Sequence, residues 1–299
     1  MTVSAASRPP ASEEADLLVV GVLEDQLTAV DSLLGAFGGD LLAAAGDDFT
    51  GKTGQTAVFP SFGRVAATRV GLVGLGDGDL TALRRAAGQA AAMARAKGNT
   101  SMALSFGNLG STQWAALVEG LHEGAYVFDR YKAESGRKPA LATATVLGDC
   151  DSTDQGVGSA IAAGRALARD LVNEPADAIF PETLAEAALA LASDRIQVEV
   201  WDFDRIKAAG MGGVEAVGKG SNREPRFIHL TYTPAGPSRG KVGLVGKGVT
   251  YDAGGLNLKP GAGLQTMRCD MAGSAAVLGV FRAIADIQPD IEVHGIVGA

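Results

Sequence analysis

Short apolar runs separated by segments of helical period constrain this chain more than any other feature. The runs LLVVGVL (17–23), VAATRVGLVGLG (65–76), SMALSFG (101–107) and ALATATVLG (140–148) are short and bounded by turn residues, so they read as strands. Between them, LTALRRAAGQAAAMARAKG (80–98) and TQWAALVEGLHEGAYVFDRYK (112–132) repeat apolar residues every three to four positions. That is the period of a helix with one buried face. Strands alternating with helices require a parallel or mixed sheet with helices on its faces, so the expected fold class is α/β.

The second half continues the rhythm. A long helical stretch from Thr153 breaks at Asn173–Pro175, because proline biases the residue before it away from helical angles. PETLAEAALALASD (181–194) starts a new helix with Pro181 in its first turn. IQVEVWD, FIHLTYT, KVGLVGK and IEVHGIVG then read as strands, and FDRIKAAG and SAAVLGVFRAIAD as helices. The expected division is a disordered polar lead-in (1–16), a smaller N-terminal α/β domain (17–152), a connecting helix and linker (153–180), and a C-terminal α/β domain with a central mixed sheet (181–299).

Composition narrows the function classes. At 299 residues, 46% hydrophobic and 20% charged, the chain has globular proportions and enough length for two cores. A formal net charge of −8 argues against a nucleic-acid surface as its main business. Cys150 and Cys269, the two cysteines, make neither a disulfide framework nor a CxxC site. No apolar run reaches the roughly 18 residues of a membrane span. The opening MTVSAASRPPASEEAD lacks a signal-peptide core, which makes the cytoplasm the expected location.

The stretch LVGKGVTYDAGGLNLKPGAGLQTMRCDMAG (244–273) holds the chemistry. Its Gly-Lys-Gly suggests a phosphate loop, but a Walker A pattern needs glycine at 241 and Ser or Thr at 248, where Lys241 and Gly248 stand. A dinucleotide fingerprint needs glycine at 251, which is Tyr251, and the related GLGDGD (74–79) ends in Asp79. Lys247 instead ends a run read as a buried strand, where ligand crevices of open α/β sheets gather. Asp252 follows in a glycine-rich turn, Lys259 precedes Pro260, and Asp270 stands before a helix whose positive end favours an anion. Each of the four has a plain alternative as a solvated lysine or a helix cap. Their density, among glycines that let backbone approach a ligand, favours a shared crevice. His122, His229 and His294 stand apart in sequence and read as core or surface residues.

At these residues the chain resembles the leucine (cytosol) aminopeptidase family of hexameric two-metal exopeptidases. VGKGVTYDAGGLNLKP and MRCDMAGSAAVLG match its active-site segments, and ARDLVNEPAD, PETLAE, GMGGVEAVGKGS and EPRFIHLTY follow in family order. YVFDRYK resembles the final helix of its N-terminal domain. The resemblance implies that Lys247, Asp252 and Asp270 are metal ligands, with Asp252 bridging, and that Lys259 stabilises the oxyanion of the tetrahedral intermediate. An amine binds a metal only when neutral, so Lys247 would surrender its proton to the field of the dication. Met267 matches a position lining the pocket for the substrate's first side chain, and a core methionine is the plain alternative. Two divalent ions per subunit, Mn2+ or Zn2+, a bicarbonate in the full-length protein, peptide substrates and a homohexamer are implied in the same way. The metal stays open, because these hard ligands select weakly.

The family's second motif, Asn-Thr-Asp-Ala-Glu-Gly-Arg, is absent from these residues. The expectation is therefore a C-terminally truncated member with an incomplete, inactive site and exposed sheet edge. The competing expectation is a non-catalytic binding or regulatory relative on the same fold. A lysine beside two carboxylates favours the enzyme.

Overall fold

The computed structural model describes residues 1–24, 26, 35–37, 40–46, 48–149, 151 and 155–299, and the chain divides into two units, Met1–Ala162 and Ala163–Ala299. The division falls inside the helix Gln155–Asn173, which ends before Glu174-Pro175. Cys150 and Thr153 lie outside the described residues.

The first unit is built on a six-stranded sheet. Its strands are β1 (Thr2–Ala6), β2 (Leu17–Leu23), β3 (Thr56–Pro60), β4 (Arg69–Gly76), β5 (Ser101–Ser105) and β6 (Thr143–Leu147), in the order β1-β6-β5-β2-β4-β3. All neighbours are parallel except β3 and β4. Helices α1 (Leu80–Ala96) and α2 (Ser111–Ala125) cover one face. Asp79 caps α1 by accepting a hydrogen bond from the Ala82 amide at 2.6 Å. The alanine stripe of α1, from Ala82 to Ala94, is buried, so the two helices meet along small residues.

Two expectations are corrected here. Residues 2–6, expected within a disordered lead-in, form β1, in register with Thr143–Leu147. Val3 is buried in the core, and β6 offers an open edge whose backbone groups need partners. The run YVFDRYK, expected as a helix, lies beyond the end of α2. Tyr126 is extended (φ −60°, ψ 134°), and Tyr126-Val127-Phe128 are residues with weak helix preference.

The second unit has a four-stranded mixed sheet, β7 (Ile196–Trp201), β8 (Phe227–Tyr232), β9 (Lys241–Lys247) and β10 (Glu292–Gly298), in the order β7-β8-β10-β9. Only the β9–β10 pair is parallel. Helices α3 (Gln155–Asn173, through its last turns), α4 (Pro181–Leu189) and α5 (Ala272–Ile287) bury one face, with Ile228, Leu230, Tyr232, Val293 and Val297 against Met271, Ala275, Leu278 and Phe281. The period of two along each strand sends Glu199, His229, Thr231, Glu292 and His294 to the opposite face. β9, read as buried from sequence, is an edge strand with Val245 80% exposed. Among the described residues it pairs with one strand, β10, and α5 packs on it around Leu244 and Gly246. Among the described residues no helix is long and apolar enough to cross a membrane.

Candidate active site at the end of β9

Two glycines make the site possible. A Cβ on Gly246 would lie 2.5 Å from the Gly273 carbonyl oxygen, and one on Gly273 would lie 2.8 Å from the Lys247 nitrogen. The end of β9 and the start of α5 therefore touch backbone to backbone. That contact carries Lys247 to Asp270, which follows the short 3-10 turn Met267–Cys269, with Nζ and Oδ2 3.1 Å apart. The Asp270 Oδ2 atom is shielded from solvent and takes no well-aligned hydrogen bond, so the ammonium serves it as a charge rather than as an in-line donor.

The other two residues meet across the following loop. Lys259 donates its amide to the Ala253 carbonyl at 3.0 Å, and Gly254 bridges to Leu258. Gly254 has φ +97°, and a Cβ there would collide with the Asn257 carbonyl, so the turn is confined to glycine. The closed loop sets Lys259 Nζ 3.0 Å from Asp252 Oδ2, while Asp252 Oδ1 accepts from the Gly254 amide at 2.8 Å. The Lys259 ammonium, and after it the Gly254 amide, hold the Asp252 carboxyl below its ordinary range, with a weaker pull from Lys247. All four residues expected from sequence thus occupy one neighbourhood as two ion pairs.

Their chemistry fits part of a metal site. Two carboxylates and an amine are suitable donors, and the shielded Asp270 oxygen lacks an aligned partner. Among the described residues no three His, Cys, Asp or Glu side chains form a group fit to hold a metal. The two positive and two negative charges of these residues already balance. They fit as contributors to a metal centre and do not suffice for two dications.

Beside the loop opens a cleft of about 670 Å3, walled by Phe180, Val214, Val217, Pro225, Thr250 and Tyr251 among others. Met267 is half-buried in its 3-10 turn and is not among the lining residues. Sequence reasoning missed Thr250 and Tyr251 as cleft residues, although they sit between Lys247 and Asp252. The histidine reading is also corrected: His229 and His294, taken as isolated, lie 3.0 Å apart on adjacent strands, because the β8–β10 register brings them together.

Residues 166–299 match the model for the cytosol aminopeptidase family, catalytic domain, and residues 19–135 match that for the same family's N-terminal domain. A probable cytosol aminopeptidase of Aquifex aeolicus is 39% identical, over 85% of this chain and 52% of its own length. One of Nostoc punctiforme is 37% identical, over 98% and 62%. Among solved structures, a tomato leucine aminopeptidase mutant superposes with a TM-score of 0.83 at 30% identity, covering 100% of this chain and 62% of its own. The bottromycin maturation enzyme BotP in complex with Mn gives 0.76 at 30% identity, covering 95% and 59%. The chain spans 52% to 64% of the length of the curated relatives it matches. With both of its domain models matched in order and the fold shared, the chain belongs to the cytosol aminopeptidase family.

Proposed function

We propose that this chain supplies Lys247, Asp252, Lys259 and Asp270 to the site of a metal-dependent aminopeptidase that releases N-terminal residues, preferably leucine and other apolar ones, from peptides. The observation that carries this reading is the pair of ion pairs at the end of β9, Lys247 with Asp270 and Lys259 with Asp252. Two lysines held beside a glycine-tight loop are placed to stabilise negative charge that develops on a bound substrate.

Asp252 and Asp270 would hold divalent ions through hard carboxylate oxygens, and Lys247 would join them as a neutral amine. Mn2+ or Zn2+, when bound, supplies Lewis acidity for activating a water and an anchor for the substrate's free amine. Lys259, 3.0 Å from Asp252, would keep its charge and stabilise a developing oxyanion. Phe180, Val214 and Tyr251 in the neighbouring cleft offer an apolar surface to a substrate side chain. The Mn-bound BotP supports the metal class. A homohexameric assembly, a cytoplasmic location and a role for Met267 in side-chain selection enter this reading from the resemblance alone.

The test is hydrolysis of Leu-p-nitroanilide with added Mn2+ or Zn2+ by the complete gene product and by its Asp252→Asn, Asp270→Asn, Lys247→Ala and Lys259→Ala variants. Metal-dependent turnover that collapses in all four is expected. Turnover unchanged in any of them, or none in the complete gene product, overturns the reading. The 299-residue chain alone, whose four residues balance their own charge, is expected to give no appreciable hydrolysis.

A further inference from the structure

The polar face of the second sheet carries a second set of metal donors. His294 and Thr231 are directly paired across β10 and β8, and His229 lies two residues from Thr231 on the same face. The three polar atoms form a small triangle. His229 Nε2 and His294 Nδ1 are 3.0 Å apart, and Thr231 Oγ1 is 3.4 Å from each. A triangle of that size has a point about 2 Å from all three corners, the distance at which a zinc-class ion holds its ligands.

The surroundings favour an ion there. His294 Nε2 and Glu292 Oε1 are 2.8 Å apart, so the ring gives its Nε2 proton to the carboxylate and turns the bare Nδ1 toward His229. A carboxylate on the far nitrogen is the usual support of a metal-binding histidine, because it fixes the tautomer and raises the basicity of the ligating atom. Lys241 Nζ, 2.8 Å from the same Glu292 oxygen, holds that carboxylate in place. Gly243, opposite His294 on β9, presents no side chain, and nothing lies within 4 Å of where its Cβ would be. The flank of the pair is open to incoming water ligands.

We propose that His229 and His294, with the Thr231 hydroxyl beside them, bind one divalent transition-metal ion of the zinc class. In the metal-free chain the proton between the two rings belongs to His229 Nε2, which donates it to His294 Nδ1. On binding, that proton leaves Nε2 and one returns to Nδ1 of the same ring, so the imidazole stays neutral and both facing nitrogens have lone pairs for the ion. The two rings now face each other along the hydrogen bond, and each turns by some tens of degrees so that the lone pairs converge. Both residues are partly exposed, which leaves room for the turn. The site lies up the sheet from the candidate active site: His294 precedes Gly298, the partner of Lys247, by four residues, or about 13 Å of strand. Its presence does not rest on the peptidase reading.

Zinc titration of the 299-residue chain against a chromophoric chelator tests this. One ion per chain is expected, with affinity falling at least about ten-fold in His229→Ala and His294→Ala, and about ten-fold in Glu292→Gln. The double variant Asp252→Asn/Asp270→Asn is expected to keep the ion. Cu2+ added to the wild-type chain is expected to show nitrogen hyperfine coupling from two imidazoles, a readout that needs no folded variant. Absence of zinc binding, zinc affinity retained in the His229→Ala/His294→Ala double variant, or copper without two-nitrogen coupling overturns the proposal.

Discussion

Gly246 and Gly273 meet with no side chain between them: a Cβ on Gly246 would sit 2.5 Å from the Gly273 carbonyl oxygen and 2.7 Å from its carbonyl carbon. The last residues of β9 and the first turn of α5 are thereby locked at backbone distance. Lys247 and Asp270 flank this contact, and their 3.1 Å approach is a consequence of it.

Gly246→Ala therefore has to push strand and helix apart. The atoms in the way are backbone, which cannot rotate aside, so the expected cost is about 1 to 3 kcal/mol of stability, as for other overpacked interiors. Chemical denaturation of the second unit's transition measures it. Gly255→Ala, where nothing lies within 4 Å of the added carbon, is the control expected to change little.

Lys259→Met removes the charge nearest Asp252 while keeping most of the stem. In the complete gene product the expected result is a fall in kcat of about 100-fold or more with KM little changed, the pattern for an interaction made mainly in the transition state. An equal rise in KM at unchanged kcat would show that Lys259 serves substrate binding instead.

The four residues of the candidate site can be singled out in the sequence because they lie within 24 positions, and glycine spacing and strand ends are local signals. The ion-pair partners were not: nothing local says that Lys259 folds back on Asp252 while Lys247 reaches Asp270. The His229–His294 pair was hidden for the same reason on a longer scale, since 65 residues separate them and only strand register brings them together. Strands β2, β7 and β9 are readable from their apolar runs. β1 is not, because Thr-Val-Ser-Ala-Ala has one large apolar residue and its pairing depends on the free edge of β6.

β9 leaves Val245 80% and Val242 40% exposed on an edge strand with a free row of backbone groups. Such an edge templates pairing with another chain. The 299-residue chain is expected to self-associate as its concentration rises, and Val245→Lys to reduce this, as read by light scattering across a dilution series. Equal scattering by the two chains would place the association elsewhere.

Acid should unlock the first unit at Asp16. One of its carboxylate oxygens accepts from the Thr100 amide at 2.7 Å, the Ser101 amide at 3.0 Å and the Thr100 hydroxyl at 3.0 Å, joining the entry of β2 to that of β5. The Thr100 amide first, then the Ser101 amide, hold the carboxyl below its ordinary value. A carboxyl depressed in the folded state binds fewer protons there than when unfolded, so its contribution is complete above the ordinary aspartate range. It is lost as pH falls through that range and then through the lower folded-state value. Asp16→Asn is therefore expected to lower Tm at pH 7, and its gap to the wild type is expected to narrow as pH falls below the ordinary aspartate range. A Tm gap that stays constant as pH falls would mean that Asp16 acts by its shape and not by its charge.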